Sequence, residues 1–383
     1  MEVPFNKEYY TGKEIEYIED IIKDKGSTRG DGYYTKKVSE LIEKKFSVNK
    51  TLMTTSGTHA LEMAAELIDI KPGEEVIMPS FTFPSTANAV LKSRGIPVFA
   101  EIEKDTLNID PKDIRNKITN KTKAIIPIHY AGIAANMDEI NNIANDFDLL
   151  VIEDAAQAVN AKYKDNYLGT MGDLGCFSFH STKNYISGEG GALLINKSDE
   201  SLIEKAAILR EKGTNRINFL KGEVDKYTWV DQGSSYLPSD LLMAFLYAQL
   251  KEMDKIKKLR QNIFYRYQEE LQFLNNFNIV KSIIEIPKNR DINYNSFYII
   301  FSNKNIRDRT IELLKQRGIK ATFHYIPLHI AKMGKKLGYQ KGDFPITEDV
   351  SNTIMRLPLY TGMREDEVDY VIKNVKEVCK ELK

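Results

Sequence analysis

Between Leu52 and Ile195 the chain alternates short apolar runs with segments of helical periodicity, and this alternation restricts the fold more than any other feature. A half-exposed strand alternates apolar and polar residues, and these runs do not. Continuous apolar runs are typical of strands that are buried on both faces. Strands separated by helices form a mostly parallel sheet covered on both sides, and its ligands bind beyond the carboxyl ends of the strands. The runs are Val76–Met78, Pro97–Ala100, Ala124–Ile128, Leu149–Ile152, Cys176–Phe179 and Ala192–Ile195, and helices are predicted at 58–68, 84–94, 111–118 and 137–146.

The C-terminal third has a different pattern. A long helical stretch is predicted from Leu241 to about Leu274, followed by strands at Ser296–Phe301 and Ala321–Tyr325 and a closing helix at Arg364–Leu382. The chain is long enough for two cores. We therefore predict a large α/β domain over residues 1–250, whose sheet offers the ligand-binding edge, and a small α+β domain over residues 251–383.

Charge and cysteine content exclude several classes of function. Basic and acidic residues number 54 each, so no overall field attracts the chain to nucleic acid or to an anionic membrane. Cys176 and Cys379 are too few for a disulfide scaffold and too far apart for a zinc knuckle. No apolar stretch approaches the length of a bilayer, and residues 1–8 lack the apolar core of a signal peptide. We predict a cytoplasmic protein with no metal site and no nucleic-acid or membrane partner.

One lysine stands in a setting suited to chemistry. Lys183 follows the run Cys176–Phe179 and precedes the glycine cluster Gly188–Gly191. Burial of an amine lowers its pKa and makes it a usable nucleophile towards a carbonyl, so Lys183 is a candidate for a Schiff base with pyridoxal phosphate. An arbitrary lysine is far more often a solvated surface group. The hypothesis therefore depends on the other motifs.

Two carboxylates end the apolar run Leu149–Ile152. A carboxylate at the end of a buried strand can pair with a protonated ring nitrogen, which pyridoxal phosphate needs to act as an electron sink. Glu153 and Asp154 point to opposite sides of an extended chain, so only one of them can do this. Two solvated acids in a turn are the alternative.

Two further turns follow strand-like runs. The stretch Ser56-Gly57-Thr58 begins a helix, and free N–H groups with small hydroxyls suit a phosphate, although a plain helix cap explains the same residues. Ser178 lies five positions before Lys183, and its hydroxyl can share that phosphate. Phe81 and Phe83 follow the run Val76–Met78, and either ring can stack on a planar cofactor or pack in the core.

Candidate substrate contacts lie in two later segments. The loop Gly213–Pro238 is long, polar and aromatic, as functional loops often are. Its cations can bind a diphosphate or form a solvated basic face. Two of the five histidines, His324 and His329, share one short segment that has no cysteine or acid cluster beside it. A sugar or phosphate contact is the better interpretation there than a metal site.

The five motifs together, in chain order, resemble those of the pyridoxal-phosphate sugar aminotransferases of the DegT/StrS type. The motifs are SGT at 56–58, PSFTF at 79–83, EDAAQ at 153–157, FSFHSTKN at 177–184 and GEGG at 188–191. The resemblance covers nearly the whole chain. It implies the fold-type I architecture: a mostly parallel, seven-stranded central sheet in a large domain plus a small α+β C-terminal domain. It also implies a homodimer with shared active sites.

The resemblance further implies a role for each matching residue. Lys183 is the lysine that binds the cofactor and carries the proton. The cofactor-binding residues are Gly57, Thr58 and Ser178 at the phosphate, Phe83 on the ring, Asp154 at the ring nitrogen, Gln157 at the phenolic oxygen side, and His180 beside the cofactor. The segments REKGTNR, VDKYTW, GSSYL and FHYIPLH are similar to a subgroup that aminates dTDP-4-keto-6-deoxyglucose with L-glutamate. From these segments the substrate contacts are predicted to be Arg216, Tyr227, His324 and His329.

The sequence departs from the family pattern at one place and leaves alternatives open. Ser234-Ser235 stands where many relatives carry an asparagine that reaches the cofactor of the neighbouring subunit. A 3-keto or UDP-linked sugar, or another configuration of the product amine, fits the same motifs. A non-catalytic regulator that binds the cofactor is a further alternative, but the set Lys183, Asp154 and Gln157 argues against it. A nicotinamide oxidoreductase is not favoured, because Thr55–Thr58 lacks its glycine fingerprint.

Overall fold

The computed structural model describes residues 1–383, the whole chain. It contains thirteen strands: β1 (Lys50–Thr54), β2 (Glu75–Pro79), β3 (Ile96–Ala100), β4 (Thr122–Ile125), β5 (Leu150–Asp154), β6 (Lys162–Tyr163), β7 (Asn166–Tyr167), β8 (Leu174–Ser178), β9 (Gly191–Ile195), β10 (Val280–Ile283), β11 (Arg290–Asp291), β12 (Phe297–Phe301) and β13 (Ile354–Leu357).

The fourteen α-helices are α1 (Glu14–Asp20), α2 (Tyr33–Phe46), α3 (Gly57–Leu67), α4 (Pro84–Lys92), α5 (Pro111–Lys117), α6 (Met137–Asp146), α7 (Glu200–Arg210), α8 (Arg216–Leu220), α9 (Asp240–Lys251), α10 (Met253–Leu271), α11 (Lys304–Gln316), α12 (Lys332–Lys336), α13 (Pro345–Thr353) and α14 (Glu365–Glu381). A π-helical turn follows α1 at Ile21–Lys25, and short 3₁₀ turns occur at Tyr130–Gly132, Gln272–Asn276 and Leu328–Ile330. None of these helices combines the length and the apolar character needed to cross a membrane.

Seven strands form the central sheet in the order β1-β9-β8-β5-β4-β2-β3. The neighbours from β8 to β3 are parallel, while β9 runs antiparallel to both β1 and β8. Each of the six apolar runs overlaps a strand of this sheet, although β4 ends at Ile125 whereas the predicted run continues to Ile128, and the four predicted helices overlap α3 to α6. The prediction of an α/β fold with a mostly parallel central sheet is confirmed.

Both faces of this sheet are buried. Val151 of β5 packs into a core with α2, α6 and α9, whereas its neighbour Ile152 packs on the other face with α3 and α4. Successive side chains of a strand point to opposite faces, so a strand inside two cores must be apolar throughout. This explains the uninterrupted apolar runs.

A third core joins the C-terminal elements to the edge of the central sheet. It is built on the antiparallel sheet β10-β12-β13 with α10, α11 and α14. Phe81 and Tyr130, from the segments after β2 and β4, also belong to it. The C-terminal part therefore packs against the carboxyl ends of the parallel strands, where the site was expected.

Two expectations in this part need correction, and a third stays open. The helix predicted from Leu241 to Leu274 is two helices, because the backbone at Glu252 leaves helical geometry between α9 and α10. The strand predicted at Ala321–Tyr325 was wrong: only Thr322 forms a bridge, to Arg356, because the following side chains turn towards the central sheet. The division into domains 1–250 and 251–383 stays a prediction.

Candidate active site

The parallel sheet brings four of the sequence motifs to one edge. The strands β1, β2, β5 and β8 run in the same direction, and the motifs around Gly57, Phe83, Asp154 and Ser178 stand at their carboxyl ends. Lys183 lies in the turn that connects β8 to β9. These motifs are far apart in sequence, but a parallel sheet places them side by side.

A polar cradle lies at the start of α3. Ser56 caps this helix by accepting a hydrogen bond of 3.1 Å from the His59 N–H. A Cβ atom on Gly57 would lie 2.8 Å from the Cβ of Ser178, so only glycine permits this close approach. The Thr58 hydroxyl is 2.7 Å from that of Ser85. Hydroxyls at the N-terminus of an eleven-residue helix form a setting that suits a phosphate.

Asp154 is buried at the end of β5 and keeps part of its hydrogen-bonding capacity free. Its Oδ2 accepts a bond of 2.8 Å from the Thr86 hydroxyl, and its Oδ1 accepts one of 3.2 Å from the Ala156 N–H. Burial raises the pKa of this carboxyl, and the bonds from Thr86 and Ala156 and the charge of Lys183 oppose that rise. A positively charged ring N–H would be the natural partner for its remaining lone pairs.

Lys183 has the properties of a nucleophilic amine. Burial lowers its pKa from 10.5 to about 8; Asp154 opposes this change, and the charge of Arg356 adds to it. Its backbone N–H donates to the His180 carbonyl at 2.8 Å, which shapes the turn that carries it. A substantial fraction of this amine is therefore neutral near pH 8, as attack on a carbonyl requires.

Aromatic and amide groups form one side of the crevice. The Gln157 amide donates to the Tyr325 hydroxyl at 2.8 Å and accepts from the Ala131 N–H at 2.9 Å. His324 Nδ1 lies 3.1 Å from the Tyr130 hydroxyl. Burial, together with the charges of Arg356 and Lys183, holds the pKa of His324 far below its usual value, so its ring is neutral.

The structure does not place every predicted contact in this crevice. Phe83 immediately precedes α4 and is 60% exposed, so its ring is free to cover a ligand. The His180 ring turns outward, with Nδ1 2.9 Å from the Thr182 hydroxyl and Nε2 3.6 Å from a Glu189 oxygen. Because the ring is held by these surface partners, a contact of His180 with the cofactor stays a prediction without structural support in this chain.

The substrate contacts predicted for the long loop have their partners in and near that loop. Arg216 forms an ion pair of 3.7 Å with Glu211, and the Tyr227 ring packs on Phe219 with 5.7 Å between ring centroids. Neither has a partner among the crevice residues.

The structure places His329 in the wall of the site rather than in the crevice. It is fully buried, with Nδ1 2.8 Å from the Ser80 hydroxyl and Nε2 3.1 Å from a Glu348 oxygen. Both ring nitrogens are occupied, so no atom of this ring is available to a sugar. His329 links the loop after β2 to α13 and stabilises the wall of the site.

Sequence reasoning missed several residues of the crevice. Thr86, Tyr130, Tyr325 and Arg356 all contact predicted site residues or lower their pKa values. Thr86 could have been found, because it lies in the first turn of a helix that follows a strand end. Arg356 has no sequence signal, since it stands alone in the apolar strand β13.

Taken together, the residues fit pyridoxal phosphate. The crevice offers an amine of lowered pKa for the aldehyde, a buried carboxylate for the ring nitrogen and a glycine-lined cradle for the phosphate. The phosphate cradle is the most specific of these observations, because any side chain at position 57 would collide with Ser178.

Comparison with known proteins agrees with this chemistry. The sequence model of the DegT/DnrJ/EryC1/StrS aminotransferase family matches residues 9–376. The chain is 34% identical to the spore coat polysaccharide biosynthesis protein SpsC of Bacillus subtilis, over 88% of this chain and 89% of that protein. It is 28% identical to the GDP-perosamine synthase of Vibrio cholerae, over 100% of this chain and 98% of that enzyme.

The solved structures agree on the fold. The PLP-form of the putative sugar aminotransferase Spr1654 from Streptococcus pneumoniae has a TM-score of 0.91 at 24% identity and covers 100% of both chains. Since the family model spans almost the entire chain, the chain belongs to the DegT/DnrJ/EryC1/StrS aminotransferase family, and it is a sugar aminotransferase that uses pyridoxal phosphate.

Proposed function

We propose that this chain transfers the amino group of L-glutamate to C4 of dTDP-4-keto-6-deoxyglucose. The products are dTDP-4-amino-4,6-dideoxygalactose, a precursor for surface polysaccharide, and 2-oxoglutarate. The observation that carries the transamination is the Lys183 amine of lowered pKa together with the buried carboxylate of Asp154, whose charge acts on it. The choice of sugar rests on the segments REKGTNR, VDKYTW, GSSYL and FHYIPLH.

Each crevice residue then has a defined task. Bound pyridoxal phosphate supplies an electron sink next to the carbon that carries the nitrogen. Lys183 Nζ accepts the α-proton of glutamate in the first half-reaction and returns a proton to C4 of the sugar in the second. Asp154 holds the positive charge at the ring nitrogen. Gln157 and Tyr325 hold each other in place at the crevice wall.

A neutral histidine completes the polar wall. His324 is kept uncharged by burial and by two neighbouring cations, and its Nδ1 lies against the Tyr130 hydroxyl. A neutral imidazole has one donor and one acceptor nitrogen, so it can bind a sugar hydroxyl without adding charge. We propose His324, rather than His329, as the histidine that contacts the sugar.

The same proposal includes a homodimer with shared active sites. The loop Gly213–Pro238 exposes Tyr227 at 51% and Trp229 at 77% in the single chain. Exposed aromatic side chains of this kind are typical of protein–protein contact surfaces. In a dimer this loop would bring Arg216 and Tyr227 towards the partner's crevice, which would reconcile their predicted role with their position here. Equilibrium sedimentation tests the dimer.

Product analysis tests the substrate. The purified protein, loaded with pyridoxal phosphate, is incubated with glutamate and dTDP-4-keto-6-deoxyglucose, and the amino sugar is identified by mass spectrometry and NMR. We expect amination at C4 with the galactose configuration. The glucose configuration, or no reaction, would contradict the proposal. Initial rates should give parallel double-reciprocal lines, because both half-reactions use one site.

A second candidate substrate is favoured by one comparison. A relative that matches the full length of this chain is named GDP-perosamine synthase, which indicates a GDP-linked sugar for that enzyme. The GDP-linked 4-keto-6-deoxy sugar is therefore the matched alternative in the same assay. A higher kcat/KM for the GDP sugar than for the dTDP sugar would replace our choice.

A further inference from the structure

Asn184, the residue directly after Lys183, is held at both ends of its side-chain amide. Its Nδ2 donates to the Asn293 carbonyl at 2.7 Å, and its Oδ1 accepts from Asn295 Nδ2 at 3.2 Å. Asn184 is only 6% exposed, so the loss of either bond would leave a buried polar atom without a partner. A side-chain amide offers one donor end and one acceptor end, which these two partners require. These three residues are called the asparagine clamp below.

The segment that receives the asparagine clamp is itself fixed in place. Asn293 is fully buried, and its Nδ2 donates to the carbonyls of Gln157 and Val159, both at 2.9 Å. Arg260 of α10 donates to the next two carbonyls of the segment, at 3.0 and 2.9 Å. Residues 293–295 therefore form a common anchor for the loop after β5 and for the residue that follows Lys183.

The asparagine clamp lies next to the Lys183 side chain. Lys183, Ser178 and the three asparagines line one small recess. On the other side of Lys183 in the chain, the Ser181 carbonyl accepts a hydrogen bond of 3.3 Å from Asn6 Nδ2. A lysine amine stands on a flexible four-carbon stem, so its reach is defined only where the main chain beneath it is held. The contacts of Ser181 and Asn184 hold the main chain on both sides of Lys183.

We propose that Asn184 is a positioning residue for the Lys183 amine. By attaching the main chain of the turn to residues 293–295, it holds the amine where it attacks the cofactor and moves the proton. The inference rests on the proposed role of Lys183 and extends it, since Asn184 acts only through its neighbour. A misplacement of about 1 Å costs on the order of 10²-fold in rate. Loss of the clamp should therefore slow the reactions of Lys183 without weakening the binding of the cofactor.

Two measurements on the apoprotein separate positioning from binding. The first is the rate of attachment at saturating pyridoxal phosphate, in which Nζ adds to the aldehyde carbon, the C=N bond forms and water leaves. The second is the affinity for pyridoxamine phosphate, which carries an amine in place of the aldehyde and so binds without reacting with a lysine. In Asn184→Ala the attachment rate should fall by about 10–100-fold. The dissociation constant of pyridoxamine phosphate should equal that of the wild type.

A second variant and a control define the contact. Asn295→Ala removes only the donor to Asn184 Oδ1 and should slow attachment less than Asn184→Ala does. The double variant should be as slow as Asn184→Ala and no slower, because both substitutions break the same contact. Asn141→Ala removes a bond of the same kind, 3.1 Å from Nδ2 to the Met171 carbonyl, between α6 and the loop before β8. This control should leave the attachment rate unchanged.

The unfolding temperature shows whether each variant is folded, and Asn295→Ala decides the question if Asn184→Ala is not. An attachment rate equal to that of the wild type would overturn the proposal, and so would equal slowing by Asn141→Ala. A parallel loss of attachment rate and pyridoxamine phosphate affinity would assign Asn184 to the cofactor-binding surface and also overturn it. Borohydride labelling of another lysine in the wild type would contradict the proposed function, whereas labelling of Lys183 with unchanged rates contradicts this inference alone.

Discussion

Two adjacent carboxylates at the end of β5 are both buried, yet their surroundings differ completely. Glu153 is 0% and Asp154 6% exposed, and they point to opposite faces of the same sheet. Burial alone therefore does not distinguish a structural carboxylate from a functional one. The number of hydrogen-bond donors that the fold supplies to each does.

The hydrogen-bonding capacity of the Glu153 carboxylate is fully used. Its Oε1 accepts from the N–H groups of Met171 and Gly172 at 2.5 and 2.6 Å, and its Oε2 accepts from Gly169 N–H at 2.8 Å and from His129 Nε2 at 2.9 Å. Four donors leave no capacity for a ligand. This carboxylate ties the loop between β7 and β8 to the segment after β4.

The Asp154 face is only partly satisfied. Two donors contact this carboxylate, and the group nearby is the Lys183 amine of lowered pKa. An incompletely bonded buried charge destabilises the apoprotein unless a ligand completes it. The comparison teaches that the fold uses one acid to build the edge of the sheet and reserves its neighbour for the cofactor.

Among the changes on the face of the sheet that carries Asp154, removal of the Lys183 amine should lower catalysis most. Lys183→Ala should lower kcat by at least about 10⁴-fold, because both covalent attachment and proton transfer are lost. Borohydride reduction followed by peptide mass spectrometry should label position 183 in the wild type only. Lys205→Ala, which removes a lysine outside the crevice, is the control and should keep the label. Labelling of another lysine in the wild type would contradict the assignment.

The second largest loss of activity is expected from neutralising Asp154. Asp154→Asn keeps the shape and should lower kcat by roughly 10²–10³-fold, because the positive charge at the ring nitrogen loses its partner. The unfolding temperature of the apoprotein should hardly change, because the gain from removing an incompletely paired charge is offset by weaker bonds from Thr86 and Ala156. Steady-state rates and thermal unfolding are measured on the same preparation. A large loss of stability with near-normal kcat would reverse the roles of the two acids.

Glu153→Gln should show the opposite pattern. The amide places an N–H₂ group against donors that now meet a carboxylate oxygen, so we expect a loss of about 2–4 kcal/mol in the free energy of unfolding. Urea denaturation measures this loss. At low temperature the folded fraction should still bind pyridoxal phosphate and react with glutamate. A stable variant that has lost only the glutamate reaction would place Glu153 in the chemistry.

The lowered pKa of Lys183 predicts a pH dependence of cofactor capture. Only the neutral amine reacts, so the rate of pyridoxal phosphate attachment to the apoprotein should rise with a midpoint near 8 rather than near 10.5. Stopped-flow absorbance measures this rate. The folded pKa is below the unfolded value, so the unfolded chain binds more protons between these two pH values, and the apoprotein should gain stability across this window. Lys183→Met should abolish both effects.

The smallest effect concerns the support of Asp154. Thr86→Val removes the 2.8 Å hydrogen bond to Oδ2 while keeping the volume, and should lower kcat by about tenfold. Thr82→Val removes a hydroxyl that contacts only Thr86, at 3.1 Å, and should change kcat by less than about threefold. Equal effects of the two substitutions would show that the hydroxyls act through the local backbone rather than through Asp154.

Much of this site was predictable because its chemistry sits at strand ends. A buried parallel strand must be apolar, so a polar residue directly after the run marks the ligand edge of the sheet. This reasoning led to the pair Glu153 and Asp154 and to the start of α3 without any knowledge of their contacts, and the family resemblance then selected Asp154. The alternation of strands and helices then placed them on one edge.

The remaining residues depend on contacts between distant segments. His324 and His329 are five positions apart and look equivalent in sequence, but one contacts Tyr130 in the crevice and the other is buried between Ser80 and Glu348. Arg356 stands in an apolar strand and becomes significant only because nothing in the folded protein pairs with it.

The sequence by itself determined the sheet, the family and the strand-end residues, because periodicity and strand ends are local properties of the chain. Only the tertiary structure decided that Glu153 is saturated while Asp154 is not, which histidine faces the crevice, and that Arg356 is unpaired. Those outcomes depend on how many hydrogen-bond donors and acceptors the distant parts of the chain bring to each side chain. The local sequence around a residue does not contain this information.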